Sequence, residues 1–191
     1  YDSGVFIFDA YMPDKWPSAN PQMHFENHGG VRFNPNLYNC GKVCLSLLGT
    51  WRGESSENWN PTTSTLSQLF ISVQSQILID DPYYNEPGHE RSYGTDSGIK
   101  QSRIYNNHVR QFTMQHAMIG ILDTVLKGGY PEFKEPILTH FKLKKNYILS
   151  TCQKWVNESF DSQSSAQHNF PTSITKYKVT FDGLKDYLEK L

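Results

Sequence analysis

The chain has 191 residues, 37% of them hydrophobic and 14% aromatic, which is the composition of one folded domain with an appendage and excludes a disordered chain poor in large rings. Lys and Arg number 18 against 19 acidic residues, so a net charge of -1 gives no electrostatic attraction to nucleic acid or an anionic membrane, and the partner to expect is protein. No apolar run approaches the roughly 20 residues that span a bilayer, and Tyr1-Asp2-Ser3-Gly4 carries no basic signal-peptide start.

Val5 to Tyr11 is an aromatic and β-branched run with rough period-two alternation, stopped by Pro13, which predicts a strand. Proline-broken Trp16 to Pro21 follows, then a second short strand over Gln22 to Phe25 before the Gly29-Gly30 turn. Val31 to Gly41 holds Pro35 and three asparagines and favours turns. A short apolar run, Lys42 to Leu48, leads into a polar loop, Thr50 to Pro61, anchored by Trp51 and Trp59.

Leu66, Leu69, Phe70, Val73 and Ile77 recur at helical spacing, and Thr65 with Gln68 forms a capping-box pattern, so a helix is predicted from about Thr65 to Ile79. A second helix is predicted from about Ser102 to Gly128-Gly129. Pro131 to Phe141 and Leu143 to Val156 are read as two more, followed by a Ser/Gln-rich flexible link beginning at Ser159 and a short last helix, Phe181 to Leu191. The expected class is α+β, with a small antiparallel sheet, flanking helices and a helical C-terminal half, divided as a core over 1–126, a helical extension over 127–158 and a tail over 159–191.

Cys40, Cys44 and Cys152 are an odd count that suits free thiols in a reducing compartment, cytoplasmic or nuclear. Cys44, just after a turn in Gly41-Lys42-Val43-Cys44-Leu45-Ser46, is a candidate nucleophile, against the alternative of a buried structural cysteine. His24 with His28 and Cys40 with Cys44 fall within zinc-permissive spacings, but no second clean pair supports them. A Cys/His hydrolase stays open, with no signature around any of the seven histidines.

Tyr1-Asp2-Ser3-Gly4-Val5-Phe6, Pro17 and Pro21, Asn34-Pro35-Asn36-Leu37-Tyr38, Gly41 to Ser46, Trp59-Asn60-Pro61 and Asp81-Pro82 come in the order and spacing of the ubiquitin-conjugating (E2) family. The longer loop from Gly49 to Pro61 and the stretch Tyr83 to Thr95 resemble the large-enzyme branch of that family, in which conjugating and ligase roles can share one chain. The resemblance implies the UBC-like fold and transfer of ubiquitin or a ubiquitin-like protein from a Cys44 thioester to a substrate lysine. It implies Asn36 as support for the oxyanion or the nearby loop, and Glu86 as the lysine-side acid. Asn85, Tyr83, Tyr84 and His89 would line the lysine groove, and Ser18, Pro61 and Thr62 would stand where ligases grip. Asn34 stands where the family usually has His.

The implied partners are the modifier, an E1 activating enzyme and substrate proteins. No metal or organic cofactor is implied, ATP being used only upstream by the activating enzyme. The family opens with a helix and a first strand, whereas this chain opens near the second, so those elements are expected to be missing. Thioester chemistry calls for a thiol in a shallow, open groove. The alternative from another class is a non-catalytic ubiquitin-binding or scaffolding module of the same fold.

Overall fold

Residues 1–163 and 174–191 are described in a computed structural model of the chain. They divide into two compact units, one of residues 6–102 and one of residues 1–5 with 103–191.

In the first unit, Phe8–Tyr11 (β1) pairs antiparallel with Gln22–Phe25 (β2), Phe8 facing Phe25. The predicted strand start at Val5 moves to Phe8. Beneath the pair, Phe25 and Phe33 are buried and meet edge-on at 5.8 Å, while Phe6 meets Phe33 edge-on at 5.4 Å, the geometry that opposed ring quadrupoles favour. Leu66–Ser72 (α1) begins at the predicted capping box: Thr65 Oγ1 accepts from the Gln68 N–H and Gln68 Oε1 accepts from the Thr65 N–H. After Ser72 the helix widens into a π segment, Val73–Ile77, that buries Val73 and Ile77.

Asp96–Phe112 (α2) starts six residues before the predicted Ser102, because Thr95 Oγ1 caps the Gly98 N–H at 3.1 Å. Gly98 is buried there, and a Cβ would collide with the Ser92 carbonyl oxygen. The second unit takes over from Arg103. Thr113–Gly120 continues α2 as another π segment and passes into Ile121–Leu126 (α3).

The two helices predicted on either side of Lys142 are one, Lys134–Gln163 (α4). Pro136 lies in its first turn, where a missing N–H costs nothing, and no Gly or Pro interrupts the remainder. Helix α4 therefore absorbs the start of the expected flexible link, and the rest of that link lies outside the described residues. The last helix, Ile174–Glu189 (α5), is longer than the predicted Phe181 to Leu191. Tyr177 stands four residues before Phe181 and extends the buried face of Phe181, Leu184 and Leu188. The chain start is stitched to this unit: Val5 N–H donates to the Ala117 carbonyl at 2.8 Å, and Tyr147 Oη donates to Asp2 Oδ2 at 2.7 Å.

Cys152 and Tyr177 are both enclosed in this helical core. Burial pushes the Cys152 thiol up to about 12, with a smaller push from Asp2, and burial also raises the Tyr177 phenol. The Tyr177 hydroxyl has no hydrogen-bond partner among the described residues. Both folded-state values exceed the unfolded ones, so the associated stability is complete below the unfolded thiol value of 9.0 and is lost as pH climbs toward about 12. Urea denaturation between those limits should show stability falling with pH, with a shallower slope in Cys152→Val. Tyr177→Phe, which removes an unpaired buried hydroxyl, should cost less than about 1 kcal/mol at neutral pH.

Candidate active site

Cys44 is held by its backbone. Its N–H donates to the Asn36 carbonyl at 2.9 Å, and its own carbonyl accepts from Asn36 Nδ2 at 3.0 Å. Thr50 grips the neighbours, donating from Oγ1 to the Val43 carbonyl at 2.6 Å and accepting from the Leu45 N–H at 3.0 Å. The tight turn beforehand depends on Gly41, with φ +85° and the His24 ring where a Cβ would go. Cys44 itself retains 3% of its accessible surface, so the expected open groove is not what the structure shows. The apolar run that suggests a loop-edge thiol is itself packed: Val43, Leu45 and Leu48 are buried, as is Leu37, which bridges to Val43 across the turn.

Asn36 follows from the turn before it. Asn34 is fully buried, and its Oδ1 accepts from the Asn36 N–H at 2.8 Å while its Nδ2 donates to the Ile77 carbonyl at 2.7 Å. Ile77 ends the π segment, where carbonyls have no further turn to bond. Asn85 serves the preceding carbonyl, donating from Nδ2 to Gln76 at 2.8 Å. Two loops are thereby fastened to one helix end. Asn36 Oδ1 is buried with no hydrogen-bond partner among the described residues.

Glu86 reaches the same turn through Arg32. Arg32 Nη2 donates to Glu86 Oε2 at 3.1 Å and to the Pro35 carbonyl at 2.9 Å, with its guanidinium 4.8 Å from the centre of the Tyr38 ring. Tyr83, Tyr84 and His89 contact one another and their own loop. His89 stacks on Tyr83 at 4.3 Å and its Nδ1 bonds the Tyr83 carbonyl at 3.1 Å, and Tyr84 meets Tyr83 and Tyr93 edge-on. Ser18, Pro61 and Thr62 are exposed, and Trp59 Nε1 ties their two loops by donating to the Pro17 carbonyl at 2.7 Å. Asn60 Oδ1 accepts from both the N–H and the hydroxyl of Thr62, which sets the second loop. Beside the segment after Cys44 a cleft of about 350 Å³ opens, walled by Leu45, Ser46, Glu57, Asn60, Gln68 and Gln76 among others. Among the described residues no three His, Cys, Asp or Glu side chains converge as metal ligands do, and no helix is long and apolar enough to cross a membrane.

The family model described as ubiquitin-conjugating enzyme matches residues 1–125. This chain belongs to the ubiquitin-conjugating enzyme family. It is 49% identical over 158 residues to the human protein named dual E2 ubiquitin-conjugating enzyme/E3 ubiquitin-protein ligase BIRC6, an alignment covering 82% of this chain and 3% of that protein. It is 45% identical over 193 residues to the probable ubiquitin-conjugating enzyme E2 R521 of Acanthamoeba polyphaga mimivirus, covering 100% of this chain and 12% of the relative. It is 53% identical over 157 residues to the Arabidopsis thaliana protein named probable ubiquitin-conjugating enzyme E2 25, covering 82% of this chain and 25% of the relative. The chain thus spans a small part of the length of these relatives.

For an E2-family chain the fold is the expected α+β, UBC-like one, with a two-stranded antiparallel sheet and mixed helices. The sequence reading missed Arg32, Tyr38 and Thr50. Thr50 carried no signal, because a lone threonine in a polar loop is ordinary, and the Arg32 partner lies 54 positions away. The role of Asn34 in place of the family's His is now physical: one amide supplies both a donor and an acceptor. Asn34→Ala removes both bonds and leaves the Ile77 carbonyl and Asn36 N–H unserved, so denaturant unfolding should show a loss of about 2–3 kcal/mol.

Proposed function

We propose that this chain holds ubiquitin or a ubiquitin-like protein as a thioester on Cys44 and passes it to a lysine of a substrate protein. The observation that carries the reading is the reciprocal pair of bonds between Asn36 and Cys44. It seats the Asn36 amide on the backbone of the residue whose sulfur would carry the acyl group, and an amide nitrogen has a second N–H besides the one given to the Cys44 carbonyl. In the transfer the lysine Nζ attacks the thioester carbonyl carbon, a C–N bond forms, and negative charge develops on the carbonyl oxygen. The C–S bond then breaks, Cys44 leaves as thiolate, and the proton lost by the amine balances its return to thiol. Asn36 is the candidate donor to the oxyanion, through the N–H that Cys44 does not use. Glu86 is the candidate carboxylate that receives the lysine ammonium and passes to solvent the proton that Nζ must lose before it attacks, and the 82–93 loop with Asn85, Tyr83, Tyr84 and His89 would frame that approach.

The partners proposed are the modifier, an E1 enzyme that charges Cys44 and consumes ATP, and substrate proteins. Ser18, Pro61 and Thr62 form the proposed ligase-facing edge. Ser18 offers no bulky apolar anchor, which favours a protein that selects substrates through further parts of its own, as the dual E2/E3 name of one relative suggests. An intracellular, reducing compartment follows from a mechanism that needs a free thiol.

One observation favours a second reading, a non-catalytic ubiquitin-binding module: Cys44 is enclosed. A single experiment separates the two. Incubated with activating enzyme, ATP and ubiquitin, the protein should form a thiol-reducible adduct that Cys44→Ala abolishes. An adduct that survives Cys44→Ala would remove Cys44 from the reaction. No adduct, together with no reaction at Cys44 toward a ubiquitin C-terminal electrophile, would support the binding module. Asn36→Ala should charge but discharge to lysine about a hundredfold more slowly.

A further inference from the structure

We propose that Arg32 is a positioning residue for lysine acceptance: it holds the Glu86 carboxylate against the Asn36 turn by one oxygen and leaves the other for the acceptor ammonium. The inference deepens the reading of Glu86 as the lysine-side acid and rests on it.

Arg32 is fixed from its own side of the site. Its Nη2 donates to the Pro35 carbonyl three residues on at 2.9 Å, and its guanidinium lies over the Tyr38 ring at 4.8 Å, so it stays with the turn that presents Asn36 to Cys44. Glu86 comes from the other loop, 54 positions later. Between them runs a single bond, Nη2 to Oε2 at 3.1 Å, and Oε1 takes no part in it. Both side chains are half-exposed, so the pair adds little to stability, and its consequence is where the carboxylate points. A free glutamate on an exposed loop samples many rotamers. Tethered at Oε2 it offers one defined acceptor to an approaching amine. The paired charges also leave an approaching ammonium facing a neutral doublet, so local charge alone does not select the acceptor.

The test uses the full chain, charged on Cys44 and separated from activating enzyme and ATP before free lysine is added, so that loading does not enter. Discharge is followed against lysine concentration. Arg32→Ala should raise the lysine concentration for half-maximal discharge at least fivefold while the saturated rate changes by less than twofold, and Arg32→Lys, which can bridge the same two acceptors, should recover most of the shift. The effect of Arg32→Ala should vanish in a Glu86→Ala background. An unchanged or lowered half-saturation in Arg32→Ala, an equal fall in the saturated rate, or a shift that persists without Glu86 would overturn the positioning role. If Glu86→Ala alone discharges normally, the lysine-acid reading fails first and takes this one with it. If Glu86→Ala is impaired and Arg32→Ala is not, only the inference about Arg32 fails.

Discussion

A fully buried amide spans the distance from a helix end to the turn beside Cys44. Asn34 gives its Nδ2 to the Ile77 carbonyl and takes the Asn36 N–H on its Oδ1, so the last residue of the π segment and the residue that touches Cys44 answer to the same side chain. The orientation of that amide is settled by chemistry, because a carbonyl can only accept and an N–H can only donate. Asn85 repeats the device one carbonyl earlier. The walls of the site are thus hung from the end of one helix, by a buried Asn34 amide whose loss of partners is expensive and by an exposed bond from Asn85.

From that anchor the order of the site runs outward in decreasing rigidity. Asn36 and Thr50 fix the backbone on both sides of Cys44 through bonds to Val43, Cys44 and Leu45. Arg32 and Glu86 add a half-exposed link between loops, weaker and salt-sensitive, as surface ion pairs are. The rings of Tyr83, Tyr84, His89 and Tyr93 then give the 82–93 loop an internal core of its own. A cluster built this way holds the Cys44 backbone by several bonds and joins its outer loops by fewer. The enclosure of Cys44 fits the same order, its side chain lying inside the layer that these bonds hold.

What the sequence disclosed follows from which interactions are local. The Thr65 and Gln68 capping box and the Gln22–Phe25 strand were readable because their causes lie within a few residues. Helix α4 runs through Lys142 because an exposed lysine carries no helix-breaking chemistry, and α2 begins ahead of Ser102 because Gly98 in its first turn is a close-packing residue. At the candidate site, the choice of Cys44, Asn36 and Glu86 comes from the family resemblance. Arg32 and Thr50 act through pairings with no local signature, and the burial of Cys44 depends on the packing of Leu37 and Val43 around a turn, which spacing alone does not encode.

The π segment at Thr113–Gly120 explains a regularity in the second unit that an ideal helix could not sustain. Val109, Thr113, Ala117, Ile121 and Val125 are all buried at intervals of four residues. At 3.6 residues per turn such a row drifts by about 40° at each step and would wind out of the core within about four steps. Five-residue hydrogen-bonded turns wind more slowly and cancel part of that drift, so a straight row is kept from α2 into α3. The phase of everything downstream is therefore stored in the extra residue of each wide turn. Were the same 8 residues wound as a plain α-helix, the row would drift by about 40° at each step and Ile121 and Val125 would turn away from the side that Val109 presents.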